Sequence, residues 1–280
     1  MAIRIMTDST SDISREQADA MGISIVPLKV IFGSEEYKEG IDITIEDFYE
    51  KLLSVEHLPT TSQPAPDDFL GYFTEAKEAG DSVIVMVIAS KLSGTYQSAM
   101  IAKEIVDYDK IYIIDSKTTT TSLRLLVDQA VRLRDEGNQA EEIVDKLMDI
   151  KERIVLIAMV DTLEYLHKGG RLSKSTAILG TLLRFKPVLT LKDGEIIALG
   201  KERGIRKGIG RMIEAIEEFG EVDFDYPLHL GYTLQDDKCK LLYDKLKEKY
   251  GTDKMTMFPV GCVIGTHVGP GGCIFTYVRK

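Results

Sequence analysis

The stretch SVIVMVIASKLSGTYQSA, residues 82–99, joins a continuous apolar run to a polar turn and a helical pattern. An uninterrupted run of β-branched residues is typical of a strand covered on both faces, as in a parallel sheet between helices. Similar runs at 3–7, 24–32, 110–115 and 153–160 alternate with amphipathic segments. This alternation of strand and helix predicts an α/β fold whose parallel sheet has helices on both faces.

The second half of the chain carries a different pattern. KDGE at 192–195 lies between two apolar runs and is typical of a hairpin turn. A junction near residues 150–160 divides the sequence without a low-complexity linker. We therefore expect two closely packed domains, a parallel-sheet α/β domain at 1–155 and a mixed α/β domain at 156–280.

Composition excludes several classes of function. The 280 residues are 44% hydrophobic and carry a net charge of −10, which opposes binding to nucleic acid or to an anionic membrane surface. The sequence contains no run of about 18 apolar residues, so we expect no membrane-spanning helix. The first residues lack the basic start and apolar core of a secretion signal, so we expect a cytoplasmic protein that handles a small molecule.

Four hydroxyl- and glycine-rich stretches follow or precede predicted strands. They are TDSTSD (7–12), PTTSQPAP (59–66), ASKLSGTYQSA (89–99) and VIGTHVGPGG (263–272). Ligands of open α/β sheets bind at the carboxyl ends of strands. One small anion could therefore collect hydrogen-bond donors from several of these stretches.

The second and third stretches supply hydroxyl groups. Ser93, Gly94 and Thr95 lie where a helix should begin, and free backbone amides at that position favour an anion. No lysine follows in the pattern of a triphosphate-binding loop. The alternative is that Ser93 and Thr95 only cap the helix. Thr61 and Ser62 likewise supply either ligand donors or a capped turn.

Two further side chains suit an anion. His267 is surrounded by glycines and has little apolar packing to provide, although a structural histidine remains the alternative. Arg171 follows a Gly-Gly pair and can bind an anion through two donors, or form an exposed salt bridge. The remaining histidines, His57, His167 and His229, have no partner four residues away, so we expect no metal site.

The segment TAILGTLL (176–183) is apolar on nearly all sides. A helix of this kind is either part of the core or the wall of an apolar cavity. In the second case four side chains would line a tunnel for a hydrocarbon chain: Ile178, Leu179, Leu182 and Leu183.

Taken together, the motifs resemble those of the DegV family of bacterial lipid-binding proteins. The similar segments are TDSTSD, TSQP at 61–64, SGTYQSA at 93–99, LEYLHKGGRLS at 163–173 and GTHVGPGG at 265–272, in the family's order and spacing. The resemblance implies a long-chain fatty acid of C16–C18 at the domain interface, and no cofactor. It implies that its carboxylate is bound by these residues: Thr61, Ser62, Ser93 and His267, with the amides of Gly94 and Thr95 and with Arg171 nearby.

The resemblance also implies a partner. Some family members are non-catalytic acyl-carrier subunits of a fatty-acid kinase, and they present the carboxylate to an ATP-binding protein that makes acyl phosphate for phospholipid synthesis. Arg203, in KERGIRKG, is the best match to a kinase-docking residue.

Two catalytic functions are the alternatives. A serine hydrolase would use Ser93 as nucleophile and His267 as base, with Asp8 or Asp115 orienting the imidazole. Ser93 is not, however, in a G-x-S-x-G turn. A sugar or triose kinase would need a phosphate-binding lysine or clustered carboxylates for Mg²⁺, and the sequence offers neither.

Overall fold

A computed structural model describes residues 2–172, 185–252 and 254–280. These residues form strands and helices that alternate along most of the chain. The strands are β1 (Ile3–Asp8), β2 (Ile23–Val26), β3 (Lys29–Phe32), β4 (Glu35–Lys38), β5 (Thr60–Ser62), β6 (Ser82–Val87), β7 (Ile111–Asp115), β8 (Ile154–Met159), β9 (Phe185–Lys192), β10 (Glu195–Arg203), β11 (Leu228–Tyr232), β12 (Met255–Pro259) and β13 (Cys273–Val278). The helices are α1 (Arg15–Met21), α2 (Ile45–Ser54), α3 (Asp67–Ala79), α4 (Thr95–Val106), α5 (Thr120–Asp135), α6 (Ala140–Arg153), α7 (Glu164–Lys168), α8 (Ile205–Phe219), α9 (Asp237–Tyr250) and α10 (Cys262–Val268).

The first sheet is parallel throughout, with strand order β2-β1-β6-β7. Strand β6 is buried along its whole length, because its side chains alternate between two helical layers. Val83, Val85 and Val87 pack with α3 and α4, whereas Ile84 and Met86 pack with α5 and α6. The predicted parallel sheet with helices on both faces is confirmed.

The second sheet is mixed, with strand order β10-β9-β8-β13-β11-β12. Its only parallel pair among the described strands is β11 with β12. The β9–β10 hairpin turns at Asp193 and Gly194, which have φ values of +50° and +80°, as the KDGE pattern predicts. The described strands of the two sheets lie within 3–115 and 154–278, and the domain boundary at 155 stays a prediction.

Strand β8 separates two environments. Val155, Ile157 and Met159 pack beneath α8 and α9, whereas Leu156 and Ala158 face the opposite side, toward α10. Since successive side chains of a strand point to opposite faces, one strand contributes both to the core of the second sheet and to the wall of a cavity. None of the described helices has the length and apolar character needed to cross a membrane.

The predicted strand at 24–32 is in fact two strands in different sheets. Strand β2 ends at Val26 in the parallel sheet, and β3 begins at Lys29 in a small antiparallel sheet of order β4-β3-β5. Pro27 lies at the break and has no N–H for a ladder hydrogen bond. The small sheet pairs Thr61 with Val30, so the hydroxyl cluster at 60–62 lies on a short strand rather than in a turn.

The glycine-rich stretch at 263–272 is helical in its first half. Residues Cys262–Val268 form α10, and the helix ends at Gly269 with a φ of +72°. Gly265 lies within the helix where α2 packs closely. An ideal Cβ at this position would lie 2.7 Å from the Tyr49 hydroxyl and 2.9 Å from Phe48 Cε1. The glycine therefore serves helix–helix contact, and His267 lies on the last turn of a helix.

Candidate functional site

Five of the predicted site residues line one cavity of about 370 Å³. Its size is within the usual range of small-molecule sites. The predicted residues that line it are Thr61, Ser62, Ser93, Arg171 and His267. They come from β5, from the turn that precedes α4, from the segment after α7 and from α10. The fold thus brings together side chains that are far apart in the sequence.

The cavity contains a hydrogen bond between Thr61 and His267. Thr61 Oγ1 lies 2.8 Å from His267 Nε2, and the imidazole is only 9% exposed. Burial, together with the nearby Arg171 guanidinium, lowers the pKa of His267 to about 4. The imidazole is therefore neutral at physiological pH.

The environment of Nδ1 indicates which nitrogen carries the proton. His267 Nδ1 is buried and has no hydrogen-bond partner. A buried N–H without an acceptor costs about 1–3 kcal/mol, and orphaned buried N–H groups are rarer in proteins than under-satisfied acceptors. The proton therefore belongs on Nε2, which donates to Thr61 Oγ1. The Thr61 hydroxyl is left free to donate its own proton into the cavity.

Gly169 fixes the other side of the imidazole. An ideal Cβ at this position would lie 2.2 Å from His267 Nδ1 and 2.8 Å from Cε1, so only glycine allows this approach. Two residues later, Arg171 donates from Nε to the Leu92 carbonyl (3.1 Å) and from Nη1 to the Gly169 carbonyl (2.6 Å). Its guanidinium is held by backbone oxygens at the cavity, and among the described ion pairs it has no carboxylate partner.

The turn before α4 holds Ser93 at the cavity wall. Ser93 Oγ and Thr95 Oγ1 are 2.9 Å apart, and Thr95 is fully buried at the first position of the helix. An ideal Cβ at Gly94 would lie 2.0 Å from Gln63 Oε1. The absence of a Cβ at Gly94 therefore leaves room for the Gln63 side chain, whose Nε2 donates to Ser98 Oγ at 3.2 Å. Gly94 and Thr95 are not among the residues that line the cavity.

A second, smaller cavity of about 60 Å³ adjoins the first, and its walls are almost entirely apolar. The two cavities share six lining residues: Leu92, Thr119, Leu166, Ile196, Ile264 and Val268. The second cavity continues along strands of the mixed sheet, past Leu156 and Ala158. Polar groups thus gather at one end of the space and apolar side chains at the other.

The predicted tunnel residues Ile178, Leu179, Leu182 and Leu183 lie outside the described residues. Sequence reasoning missed several residues of the described wall, among them Ile264 and Val268, which flank His267 on α10. A helical reading of 262–268 would have placed Ile264 on the same side as His267, because residues three apart are neighbours on a helix.

The remaining predicted residues lie elsewhere. Arg203 is exposed at the end of β10 and is not among the residues that line either cavity. Within the described part of the chain, no group of three or more histidine, cysteine, aspartate or glutamate side chains is arranged to hold a metal ion.

The geometry expected of a serine hydrolase is not present among the described residues. Ser93 Oγ is paired with Thr95, and His267 Nε2 is paired with Thr61. Asp8 accepts hydrogen bonds from the Ile88 and Thr10 amides, and Asp115 accepts from Ser90 and the Lys117 amide, so neither orients the imidazole.

Comparison with known proteins matches the whole architecture to one family. A family model described as "Uncharacterised protein, DegV family" matches residues 2–280. The chain belongs to the DegV family. A DegV domain-containing protein of Caldanaerobacter subterraneus is 39% identical over 269 residues, which cover 96% of this chain and 95% of the relative.

Solved structures superpose on the chain over nearly its full length. One is a fatty-acid-binding DegV family protein from Thermus thermophilus, with a TM-score of 0.91, 31% identity, and coverage of 99% of this chain and 100% of the other. Another is a stearic acid-binding protein from Eubacterium ventriosum, with a TM-score of 0.89, 30% identity, and coverage of 100% and 99%. The match to the DegV structure from Thermus thermophilus confirms the predicted fold class.

A more distant structure shares the fold alone. It is the fatty acid kinase B3 protein of Streptococcus pneumoniae loaded with linoleic acid, with a TM-score of 0.88 and 23% identity, covering 100% of both chains.

Proposed function

We propose that this DegV protein binds a long-chain fatty acid whose carboxylate lies against Thr61, Ser93 and Arg171. The observation that carries the proposal is the Thr61–His267 hydrogen bond of 2.8 Å at the polar end of a cavity whose far end is apolar. Because the neutral imidazole donates to Thr61 Oγ1, the Thr61 hydroxyl can donate its own proton to an acceptor in the cavity. The arrangement suits an anionic head group on a hydrocarbon chain, which relatives of 30–31% identity are reported to bind.

The two ends of the cavity would contribute differently to affinity. Each CH₂ group that leaves water contributes about 0.8 kcal/mol, so ten buried groups contribute about 8 kcal/mol. A hydrogen bond to a charged group adds about 1.5–3 kcal/mol. The apolar walls would therefore supply most of the affinity, and the hydroxyl groups would fix the orientation of the acid.

We infer that the chain carries the acid and does not transform it. The His267 imidazole has its pKa lowered to about 4 and is paired with a threonine rather than with Ser93. A general base should have a pKa near the operating pH. Binding without chemistry is the reading that these contacts favour.

The kinase partnership is the second part of the proposal. The carrier would present its carboxylate, in the cytoplasm, to an ATP-binding subunit that makes acyl phosphate for phospholipid synthesis. Arg203 is exposed at the end of β10, next to exposed Lys201, Arg206 and Lys207. This basic group offers a docking surface for an acidic partner.

Mass spectrometry of lipid released from the denatured, purified protein tests the binding proposal. We expect C16–C18 acids from the wild type and reduced occupancy in Ser93→Ala, with a melting temperature close to that of the wild type. Thr60→Ala is a control, since Thr60 is exposed on the same strand as Thr61 and does not line the cavity. Absence of any bound acid, together with failure of delipidated protein to bind palmitate, would reject the proposal.

Two activity measurements test the carrier role. The chain alone should form no acyl phosphate from ATP and palmitate, and it should release no product from ester substrates in a Ser93-dependent burst. Acyl phosphate should appear when the ATP-binding subunit of a fatty-acid kinase is added, and Arg203→Ala should slow it without changing palmitate affinity. Turnover by the isolated chain would contradict the proposed role.

A further inference from the structure

A pair of carboxyl groups lies at the N-terminal turn of α10. Asp12 Oδ1 accepts a hydrogen bond from the Gly261 amide at 2.9 Å, and Glu39 Oε1 accepts one from the Val263 amide at 2.8 Å. These amides belong to the first turn of a helix and have no partner within it. The two carboxyls therefore fix the position at which α10 begins.

The carboxyl oxygens converge on one backbone position. An ideal Cβ at Gly261 would lie 2.5 Å from Glu39 Oε1 and 3.0 Å from Asp12 Oδ1. Glu39 is 8% exposed, and the Ser9 side chain lies within hydrogen-bonding reach of its carboxyl. Two carboxylates held this close repel when both are ionised, so such pairs retain a proton. Burial, and for Glu39 also the charge of Asp12, raises the pKa values of Asp12 and Glu39 to about 7 and about 8.

Asp12 also holds the start of α5, which contributes to the cavity wall. Thr120 Oγ1 donates to Asp12 Oδ2 at 2.5 Å. Both residues have left-handed backbones, with φ values of +55° for Asp12 and +50° for Thr120, which non-glycine residues seldom adopt. The preceding residue, Thr119, lines the cavity. One carboxyl group therefore joins the starts of two helices that both reach the proposed ligand.

We propose that Asp12 and Glu39 are positioning residues for the fatty-acid site, and that they act through α10, which carries His267 on its last turn. The inference rests on the proposed function. The pair holds one end of the helix by two amides, and the imidazole meets Thr61 at the other end. When both carboxyls are ionised, their repulsion drives them apart and moves His267 away from Thr61.

Other charged and titratable groups face this pair. They are Asp8 of β1, Glu46 and Tyr49 of α2, Arg124 of α5 and Cys262 of α10. Burial raises the pKa of Asp8 to about 6 and raises the pKa values of Tyr49 and Cys262 well above neutrality. Between pH 7 and 9, the groups of this cluster expected to titrate are therefore Asp12 and Glu39.

The test compares four variants of delipidated protein with the wild type: Glu39→Gln, Glu39→Ala, Asp12→Asn and, as a control, Asp128→Asn. Asp128 is also a partly buried carboxyl, with its pKa raised by burial to about 6, but it lies on α5 near His229. Palmitate affinity is measured from pH 7 to 9. The ¹⁵N signal of His267 Nε2 is recorded without fatty acid, and melting temperatures report folding.

We expect wild-type affinity to fall at least fivefold from pH 7 to 9. Glu39→Gln keeps the oxygen that accepts from Val263 and cannot ionise, so it should bind like the wild type at pH 7 and lose most of the pH dependence. Glu39→Ala should weaken binding at least tenfold at every pH and shift the His267 signal. The Asp128→Asn control should change neither.

Two results would overturn the proposal: Glu39→Gln with the wild-type pH dependence, or a folded Glu39→Ala with an unmoved His267 signal. If Glu39→Ala does not fold, Glu39→Gln and Asp12→Asn decide. In Asp12→Asn, an unchanged pH profile together with an unmoved His267 signal counts against the proposal. If the wild type does not bind palmitate, the proposed function fails, while the His267 signal, recorded without ligand, still tests the positioning role.

Discussion

Replacing Thr61 with valine tests the polar end of the site with a minimal change of shape. The substitution removes the hydroxyl that accepts from His267 Nε2 and, in the proposed complex, donates to the carboxylate. Loss of one hydrogen bond to a charged group costs about 1.5–3 kcal/mol. Palmitate should therefore bind about 10- to 150-fold more weakly to Thr61→Val.

The same substitution should also lower stability by a predictable amount. It leaves the buried His267 N–H without an acceptor, which costs about 1–3 kcal/mol. For a chain of this size, the melting temperature should fall by about 2–10 °C. A β-branched replacement suits a strand, so β5 itself should persist.

The assay is competition between palmitate and a fluorescent fatty acid, with melting temperature measured in parallel. Thr60→Val is the matched control, because Thr60 is the preceding residue of β5, is exposed and does not line the cavity. The control should bind within twofold of the wild type. If Thr61→Val binds as tightly as Thr60→Val, the Thr61 hydroxyl is not a carboxylate donor and the proposed orientation of the acid is wrong.

Three further predictions concern the apolar end, the imidazole and its glycine neighbour. Ala158→Leu adds volume to the apolar cavity, so affinity for a C18 acid should fall relative to a C12 acid in competition binding; an unchanged ratio would mean that the chain does not reach β8. The pKa of His267 is about 4 in the folded chain, below its ordinary value of 6.5. The folded state therefore favours the neutral imidazole, and the stability that depends on it is complete above pH 6.5 and is lost as the pH falls toward 4. This loss amounts to about 3 kcal/mol of the free energy of unfolding between pH 6.5 and pH 4. Denaturant unfolding at these two pH values should show the loss in the wild type, and His267→Gln should lack this contribution. Gly169→Ala should displace the His267 imidazole and weaken palmitate binding. The control Gly71→Ala, in α3 with open space around the added methyl group, should raise the melting temperature. Equal effects of the two substitutions on palmitate binding would contradict the proposed contact between Gly169 and His267.

Local pattern predicted the parts of the fold that depend on nearest neighbours. The apolar run at 82–87 forms a central strand of the parallel sheet. The KDGE turn forms the β9–β10 hairpin. These features follow from periodicity and turn chemistry, which act over a few residues.

Pattern failed where distant packing overrides local preference. Residues 262–268 contain a glycine and lead into a glycine-rich turn, yet they are helical. The Asp12 and Glu39 carboxyls accept hydrogen bonds from backbone amides at the start of this helix. Gly265 allows the helix to pack closely against α2. Nothing adjacent in the sequence indicates these partners. Tertiary context commonly decides such segments.

The sequence by itself determined which residues are polar and which are apolar. It therefore determined the alternating fold and supplied the hydroxyl, arginine and histidine side chains from which a site could form. Only the tertiary structure decided which of them meet: Thr61 comes within 2.8 Å of His267, while Gly94 lies against Gln63 and away from the cavity wall. The physical reason is that periodicity reflects interactions within a segment, whereas a binding site depends on the packing of segments more than a hundred residues apart.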